Sequence, residues 1–144
     1  MRIISGIYKG RTIKSPSGKK DIRPTTDRAR ETLFNILTNR IDFENKICLD
    51  LFCGTGSFGL EFISRGGSKC TFIDLDTIVI KENVSLLNLK DNYNIIRNDA
   101  VKYLASCKGN KYDIAFADPP YKYRYYVNLL KEISEFKLLF ILEH

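Results

Sequence analysis

The sequence predicts an α/β fold in which helices cover both faces of a doubly wound, mostly parallel sheet. From residue 46 onwards, short apolar runs rich in β-branched and aromatic residues alternate with amphipathic stretches. A glycine-rich turn joins the first apolar run to the stretch that follows it. A basic segment precedes this alternating part and is predicted to form a small β-hairpin and a helix.

The individual elements follow from local patterns along the chain. Thr26 or Asp27 can cap a first helix that runs to about Thr38. Strands are predicted at residues 46–52, 69–74, 94–97, 112–117 and 138–143. Further helices are predicted at residues 57–65, 78–89, 100–107 and 123–134. Such alternation is typical of right-handed crossovers between parallel strands.

Length and composition favour a single domain over residues 1–144. Of the 144 residues, 44% are hydrophobic and 28% are charged, which suffices for one core and not for two. No run approaches the roughly 20 apolar residues that span a bilayer, and we see no signal-peptide core. The four cysteines form no CxxC pair, so neither a metal nor a disulfide is expected. We expect a cytoplasmic monomer with no membrane partner.

Positive charge is concentrated near the N-terminus. The formal net charge is +6, and eight lysines and arginines lie within residues 3–30, beside two aspartates. Short strands separated by glycines are predicted at Ile3-Ile4, Ile7-Tyr8 and Thr12-Ile13. We therefore predict that residues 1–25 form a basic hairpin extension suited to a polyanion, and that residues 26–144 form the core of the domain.

The turn after the first strand is predicted to bind a ligand. It reads Asp50-Leu51-Phe52-Cys53-Gly54-Thr55-Gly56-Ser57-Phe58-Gly59, with glycines at the spacing of a G-x-G-x-x-G turn between strand and helix. Without side chains, the backbone at Gly54 and Gly56 can approach a ligand closely. The same spacing also fits a dinucleotide-binding turn, or a turn in which glycine serves packing alone.

Carboxylates follow the next two strands. Asp74 comes 20 residues after Gly54, where a carboxylate binds a ribose diol in several nucleoside-binding sheets. Asp76 is predicted to cap the following helix together with Thr77. Asp99 can accept a hydrogen bond from an adenine amino group or cap the helix after it, and the two roles are compatible.

The sequence Asp118-Pro119-Pro120-Tyr121 after the fourth strand points to a particular chemistry. Two successive prolines make a rigid turn, which holds the Asp118 carboxylate and the Asp118 and Pro119 carbonyls as fixed acceptors. Hydrogen-bond acceptors that bind the N–H groups of an exocyclic nucleobase amine direct its delocalised lone pair towards an electrophile. Tyr121 offers an aromatic face on which the base can stack. The basic aromatic run Tyr121-Lys122-Tyr123-Arg124-Tyr125-Tyr126 can add stacking and phosphate contacts for a flipped-out base. For the residues beyond Tyr121 we favour a position that faces the core.

These residues resemble a class I methyltransferase, and Asp118 to Tyr121 resembles the D/N-P-P-Y/F signature of members that methylate amino groups. Residues 23–35, Arg-Pro-Thr-Thr-Asp-Arg-Ala-Arg-Glu-Thr-Leu-Phe-Asn, preceded by Arg2-Ile-Ile-Ser-Gly and Gly10-Arg11, resemble the opening of one family. That family comprises the RsmD-type bacterial enzymes, which methylate a guanine N2 in 16S ribosomal RNA. The resemblance covers nearly the whole chain.

The resemblance implies a Rossmann-like fold that uses S-adenosylmethionine. Cofactor contacts would come from Asp50, Phe52, Gly54, Gly56, Asp74, Asp99 and Ala100. The guanine would be held and methylated at Asp118, Pro119, Pro120 and Tyr121. Ribosomal RNA, in the small subunit or in an assembly intermediate, would be contacted by Arg2, Lys9, Arg11, Arg23, Thr25, Arg28 and Arg30.

The C-terminal part of the family is expected to be missing, because the family continues past Glu143-His144 with a helix and an antiparallel hairpin. We therefore expect a shortened chain whose last strand, residues 138–142, is an exposed edge. Three alternatives stay open: a DNA adenine-N6 methyltransferase, an NAD-binding oxidoreductase, and a non-catalytic RNA-binding remnant. No catalytic role is expected for His144.

Overall fold

The computed structural model describes residues 1–15 and 26–143. Within these residues the helices are α1 Asp27–Thr38, α2 Ser57–Ser64, α3 Ile78–Leu86, α4 Ala100–Ser106 and α5 Tyr126–Ile133. The strands are β1 Ile47–Leu51, β2 Lys69–Asp74, β3 Tyr93–Arg97, β4 Ile114–Ala117 and β5 Leu139–Leu142. Each predicted helix and strand of the core is present, and most of their ends differ from the prediction by one to three residues.

The five described strands form one parallel sheet in the order β3-β2-β1-β4-β5. The chain moves outward from β1 in one direction and then returns to build β4 and β5 on its other side. The strand order therefore reverses between β1 and β4, where doubly wound sheets bind their ligands. The predicted fold class is confirmed.

Helices cover both faces of the sheet, and alternate strand residues contribute to different hydrophobic clusters. Cys48 of β1 packs in a cluster with Phe34 of α1 and Phe62 of α2. Its neighbour Leu49 packs in the other cluster, with Leu104 of α4 and further residues of α5. Because β1 is covered on both faces, its residues form an almost continuous apolar run.

Two helix boundaries differ from the prediction for local reasons. Helix α3 ends at Leu86 and not at residue 89, because Asn88 adopts a left-handed backbone with φ of 55°. Helix α5 begins at Tyr126 and not at residue 123, because the Tyr123 amide donates to the Pro120 carbonyl at 2.9 Å and closes a turn. The polypeptide between the proline turn and α5 is therefore a loop.

The predicted N-terminal hairpin is only partly correct. Within residues 1–15, Arg2 and Thr12 form an antiparallel bridge, and the amides of Ile3 and Ile13 donate to the carbonyls of Arg11 and Met1, each at 3.0 Å. Residues 5–10 between these arms form bends and turns. Gly6 and Gly10 have φ of 89° and 80°, which interrupts an extended backbone. The predicted strand at Ile7-Tyr8 is wrong.

The backbone of this N-terminal segment bonds to α2. The amides of Ile4 and Ser5 donate to the buried carboxylate of Glu61 at 3.0–3.2 Å. The Ile7 amide donates to the Ser64 carbonyl at 2.9 Å, and the Ser64 hydroxyl donates to the Ser5 carbonyl at 2.6 Å. Polar groups that a longer hairpin would pair are thus satisfied by a helix of the core.

Strand β5 pairs with β4 and has no second neighbour among the described strands, so it is the edge that was predicted. Its residues are all partly exposed. In the described part of the chain, no helix combines the length and the apolar character needed to cross a membrane.

Candidate active site

The candidate site lies at the carboxyl edge of the sheet, around the ends of β1, β2, β3 and β4. Leu51 of β1 is in register with Ile73 of β2 and with Ala117 of β4. The residues that follow these strand ends therefore reach the same edge. The structure thus brings together the glycine loop, Asp74, Asp99 and the turn at Asp118.

The glycines of the loop have different environments. Gly56 has φ of 80°, and a Cβ atom there would lie 2.0 Å from Cδ1 of Ile80 in α3. Gly54 has φ of 54°, but a Cβ atom there would have no heavy-atom neighbour within 4 Å. Gly56 is therefore required by packing, whereas Gly54 leaves the exposed side of the loop open to a ligand.

Asp74 is bonded directly to this loop. Its Oδ2 accepts from the Gly54 amide at 2.8 Å, and its Oδ1 accepts from the Asp76 amide at 3.0 Å. The carboxyl group is only partly exposed and keeps lone pairs for a further donor such as a ribose hydroxyl. Asp76 caps α3 as predicted, because its Oδ1 accepts from the Ile78 amide at 3.1 Å; Thr77 makes no side-chain capping bond.

Asp50 orders the loop from beneath the surface. Its Oδ2 accepts from the Gly59 amide at 3.0 Å, and the residue is 1% exposed. Burial, together with the charges of Asp74 and Asp118, raises the pKa of the Asp50 carboxyl. Phe52 is partly exposed and has a left-handed backbone with φ of 54°, a strained conformation for a residue with a side chain.

Asp99 is the N-cap of α4, where its Oδ1 accepts from the Lys102 amide at 3.0 Å. The capping role is confirmed, and the contact with an adenine amino group stays a prediction. Ala100 behind it is 3% exposed. Its side chain is part of the core, so it offers a ligand mainly its backbone.

The proline turn places Asp118 at the switch point. Pro119 is buried, Pro120 is exposed, and Tyr121 is 94% exposed. Partial burial and the charge of Glu143 raise the pKa of the Asp118 carboxyl to about 6. The described residues contain no group of three or more side chains suited to hold a metal ion.

Tyr123 packs against the core, as favoured from the sequence, and lies beside the glycine loop. Its ring contacts Phe52 edge-on at a centroid distance of 5.0 Å, and its hydroxyl is buried without a partner among the described residues. The sequence prediction places it in the first turn of the next helix. No residue preference marks this turn, since proline is favoured at the second position of a β-turn and Pro120 occupies the first.

The predicted RNA-binding residues differ in their exposure to solvent. Arg2, Lys9, Arg11 and Arg28 are exposed, and Arg11 also donates to the Leu86 carbonyl at 2.7 Å. Arg23 and Thr25 lie outside the described residues.

The expectation that Arg30 contacts RNA is corrected by the structure, because Arg30 is 1% exposed and does not face solvent. Its guanidinium lies between α1 and the N-terminal segment, where it donates to the Arg2 carbonyl and to Asp27 Oδ1, the latter at 3.1 Å. Helical spacing puts Arg30 on the same face as the core residues Phe34 and Leu37.

Asn83 of α3 connects the N-terminal segment with the glycine loop and was missed by sequence reasoning. Its Oδ1 accepts from the Lys14 amide at 2.7 Å. Its Nδ2 donates to the Thr55 carbonyl at 2.9 Å and to the Lys14 carbonyl at 3.2 Å. Asn83 is fully buried. Nothing in the periodicity of α3 distinguishes this asparagine from a solvent-facing one.

Comparison with known proteins places this geometry in a family. The family model Conserved hypothetical protein 95 matches residues 1–140. Ribosomal RNA small subunit methyltransferase D of Escherichia coli (strain K12) is 40% identical over 124 residues, covering 85% of this chain and 61% of that protein. The chain belongs to the RsmD-type family of RNA methyltransferases.

Two further comparisons extend over almost the whole chain. YlbH of Bacillus subtilis (strain 168) is 39% identical over 144 residues, covering 96% of this chain and 77% of that protein. The structure of the hypothetical protein TTHA0928 from Thermus thermophilus superimposes with a TM-score of 0.83 at 27% identity, covering 99% of this chain and 84% of that one. The chain thus has the fold of class I methyltransferases.

Proposed function

We propose that this methyltransferase transfers a methyl group from S-adenosylmethionine to the N2 amine of a guanine in small-subunit ribosomal RNA, in the cytoplasm. The observation that carries the proposal is the position of the turn Asp118 to Tyr121, beside the glycine loop and Asp74 at the switch point of the sheet. The relatives named as small-subunit enzymes support the substrate.

The residues around the glycine loop fit S-adenosylmethionine. Gly54 leaves open space where a ligand can approach the backbone. Asp74, held by the Gly54 amide, can accept from ribose hydroxyls, and Asp99 from the adenine amino group. When bound, the cofactor supplies a methyl group that is electrophilic because it is bonded to a sulfonium sulfur, and transfer of this methyl group leaves a neutral thioether.

Asp118 acts on the nucleobase. Its carboxylate and the backbone carbonyls of Asp118 and Pro119 accept from the guanine amine, which directs the amine lone pair towards the methyl group. The amine loses its proton as or after the new bond forms, so no strong base is required. Asp118 serves as a positioned acceptor, and the exposed face of Tyr121 can stack on the base.

Transfer of labelled methyl groups tests this proposal. The protein is incubated with labelled S-adenosylmethionine and with small ribosomal subunits that lack the modification, and the RNA is digested to nucleosides. We expect the label in N2-methylguanosine, with the Asp118→Ala variant as the inactive control. Label in another nucleoside refutes the substrate, and no label with intact cofactor binding favours a non-catalytic RNA-binding protein.

A further inference from the structure

The loop between β4 and α5 exposes aromatic and cationic side chains next to the proline turn. Tyr121 is 94% exposed and Tyr125 is 56% exposed. Lys122 and Arg124, which alternate with tyrosines along this loop, are exposed as well. The prediction that Tyr125 faces the core of the following helix is therefore wrong.

This loop and the start of α5 form an unusually apolar part of the surface. Of the nine large hydrophobic side chains that are exposed among the described residues, four lie within residues 121–130, namely Tyr121, Tyr125, Val127 and Leu130. Residues 119–130 also contain two cationic side chains and no acidic one. Exposed aromatic rings with interleaved positive charge are suited to a polyanion that carries flat rings.

The loop between β4 and α5 packs against the glycine loop. Tyr123 contacts Phe52 edge-on at 5.0 Å and Tyr125 edge-on at 5.8 Å, both between ring centroids. The hydrogen bond from the Tyr123 amide to the Pro120 carbonyl, at 2.9 Å, closes the turn that leads to these rings. A ring held in this way loses less conformational freedom when a ligand stacks on it.

We propose that Lys122, Arg124 and Tyr125 form a second RNA contact, which holds unpaired nucleotides next to the target guanine. This inference rests on the proposed function. A guanine can reach Asp118 only after it has left the base stack, so its neighbours are unstacked too and can take an aromatic face. Lys122 and Arg124 would neutralise the phosphates of the same nucleotides.

Substitutions at Tyr125 separate stacking from fold. Affinity is measured on the full chain, for a fluorescent single-stranded RNA of mixed sequence and for the same RNA annealed to its complement. We expect Tyr125→Ala to weaken single-strand binding about tenfold, or about 1.4 kcal/mol, since one base loses the ring on which it stacks. Tyr125→Phe keeps the ring and should bind like the unmodified protein.

Arg124→Ala provides an independent readout. The logarithm of the association constant falls linearly with the logarithm of the salt concentration. Loss of one phosphate contact should make this slope shallower by about 0.7 for a single strand. The matched control is Lys90→Ala, which removes an exposed cation before β3, at the amino edge of the sheet. It should leave the affinity for the single strand unchanged.

Several results would overturn the inference. Unchanged single-strand affinity of Tyr125→Ala excludes the stacking contact, and an equal loss on the duplex excludes a preference for unpaired nucleotides. A loss seen only with protein-containing ribosomal subunits assigns the surface to a protein. Affinity for S-adenosylmethionine, measured in parallel, should not change in any variant; if the unmodified protein binds none, the proposed function fails while the RNA comparison still tests the contact.

Discussion

Asp118 is a much stronger hydrogen-bond acceptor when its carboxyl is ionised. Partial burial and the charge of Glu143 raise its pKa to about 6, so the group is mostly protonated below that pH. We expect kcat/KM for RNA to rise with pH through about 6 and to fall about tenfold for each pH unit below it. The measurement is a pH profile of methyl transfer at RNA concentrations well below KM.

The control for this profile is Asp118→Asn, which has no ionisable group at this position and should lose the acidic limb. A profile that stays flat between pH 5 and pH 7, or an asparagine variant with an unchanged limb, contradicts the assignment of the limb to Asp118.

The same residue should matter for transfer and not for cofactor binding. Asp118→Ala removes the acceptor for the guanine amine but leaves the glycine loop and Asp74 intact. We expect methyl transfer to be abolished while the Kd for S-adenosylmethionine, measured by calorimetry, stays within about twofold, or about 0.4 kcal/mol. A large loss of cofactor affinity would argue against the role given to Asp118.

The two glycines of the loop should respond differently to alanine. Gly56→Ala combines a left-handed backbone with a Cβ 2.0 Å from Ile80, so we expect it to lower the free energy of unfolding by about 3 kcal/mol. Gly54→Ala meets open space and should lower it by only about 1 kcal/mol, from backbone strain alone. Urea denaturation of both variants measures the difference, and equal losses would contradict the packing argument.

Sequence could identify these residues because their chemistry is local. The spacing of glycines and the position of Asp74, Asp99 and Asp118 at strand ends follow from the strand pattern alone. Helical spacing places Arg30 on the face of Phe34 and Leu37, but the burial of its charge was not predicted because one of its partners, the Arg2 carbonyl, lies 28 residues away. The position of Tyr123 in a turn was not predicted, because it depends on where α5 begins. The ends of a helix are the least certain feature of a helix prediction.

Helix α3 links the segments expected to bind RNA and cofactor. Asn83→Ala would leave the Thr55 carbonyl and the backbone groups of Lys14 without their partner, and we expect the free energy of unfolding to fall by about 3 kcal/mol. Because Thr55 lies between Gly54 and Gly56, affinity for S-adenosylmethionine should fall as well. Urea denaturation and calorimetry measure the two effects.

Glu82→Ala is the matched control for Asn83. It removes an ion pair between Lys14 and Glu82 at 2.9 Å, in which both side chains are about half exposed. Such a pair contributes roughly 0–1 kcal/mol, so stability and cofactor affinity should hardly change. Equal effects of the two substitutions would mean that α3 is sensitive as a whole and that Asn83 has no special position.

Prediction from sequence worked well for the core elements and less well for the N-terminal segment. Periodicity in α1 and the apolar runs of the strands report their own packing. The segment before α1 takes its shape from Glu61 and Ser64 of α2, which lie more than 50 residues later in the chain. Short runs such as Ile7-Tyr8 carry no information about such partners.

The architecture of the whole molecule explains why the site lies where it does. The sheet order β3-β2-β1-β4-β5 puts β1 at the centre, and the glycine loop and Asp118 follow the two strands between which the chain changes direction. Alternating elements predicted the parallel sheet through the handedness of crossovers. They did not predict which strands are neighbours, which required the packing of helices on both faces.

The most direct test of the account is a calorimetric titration of the protein with S-adenosylmethionine and, separately, with NAD. A glycine loop followed by a carboxylate is found with both ligands, whereas the turn Asp118 to Tyr121 belongs to methyl transfer. We predict saturable binding of S-adenosylmethionine, weakened by Gly56→Ala, and no binding of NAD. Binding of NAD alone would contradict the assignment of this edge of the sheet to a methyl donor.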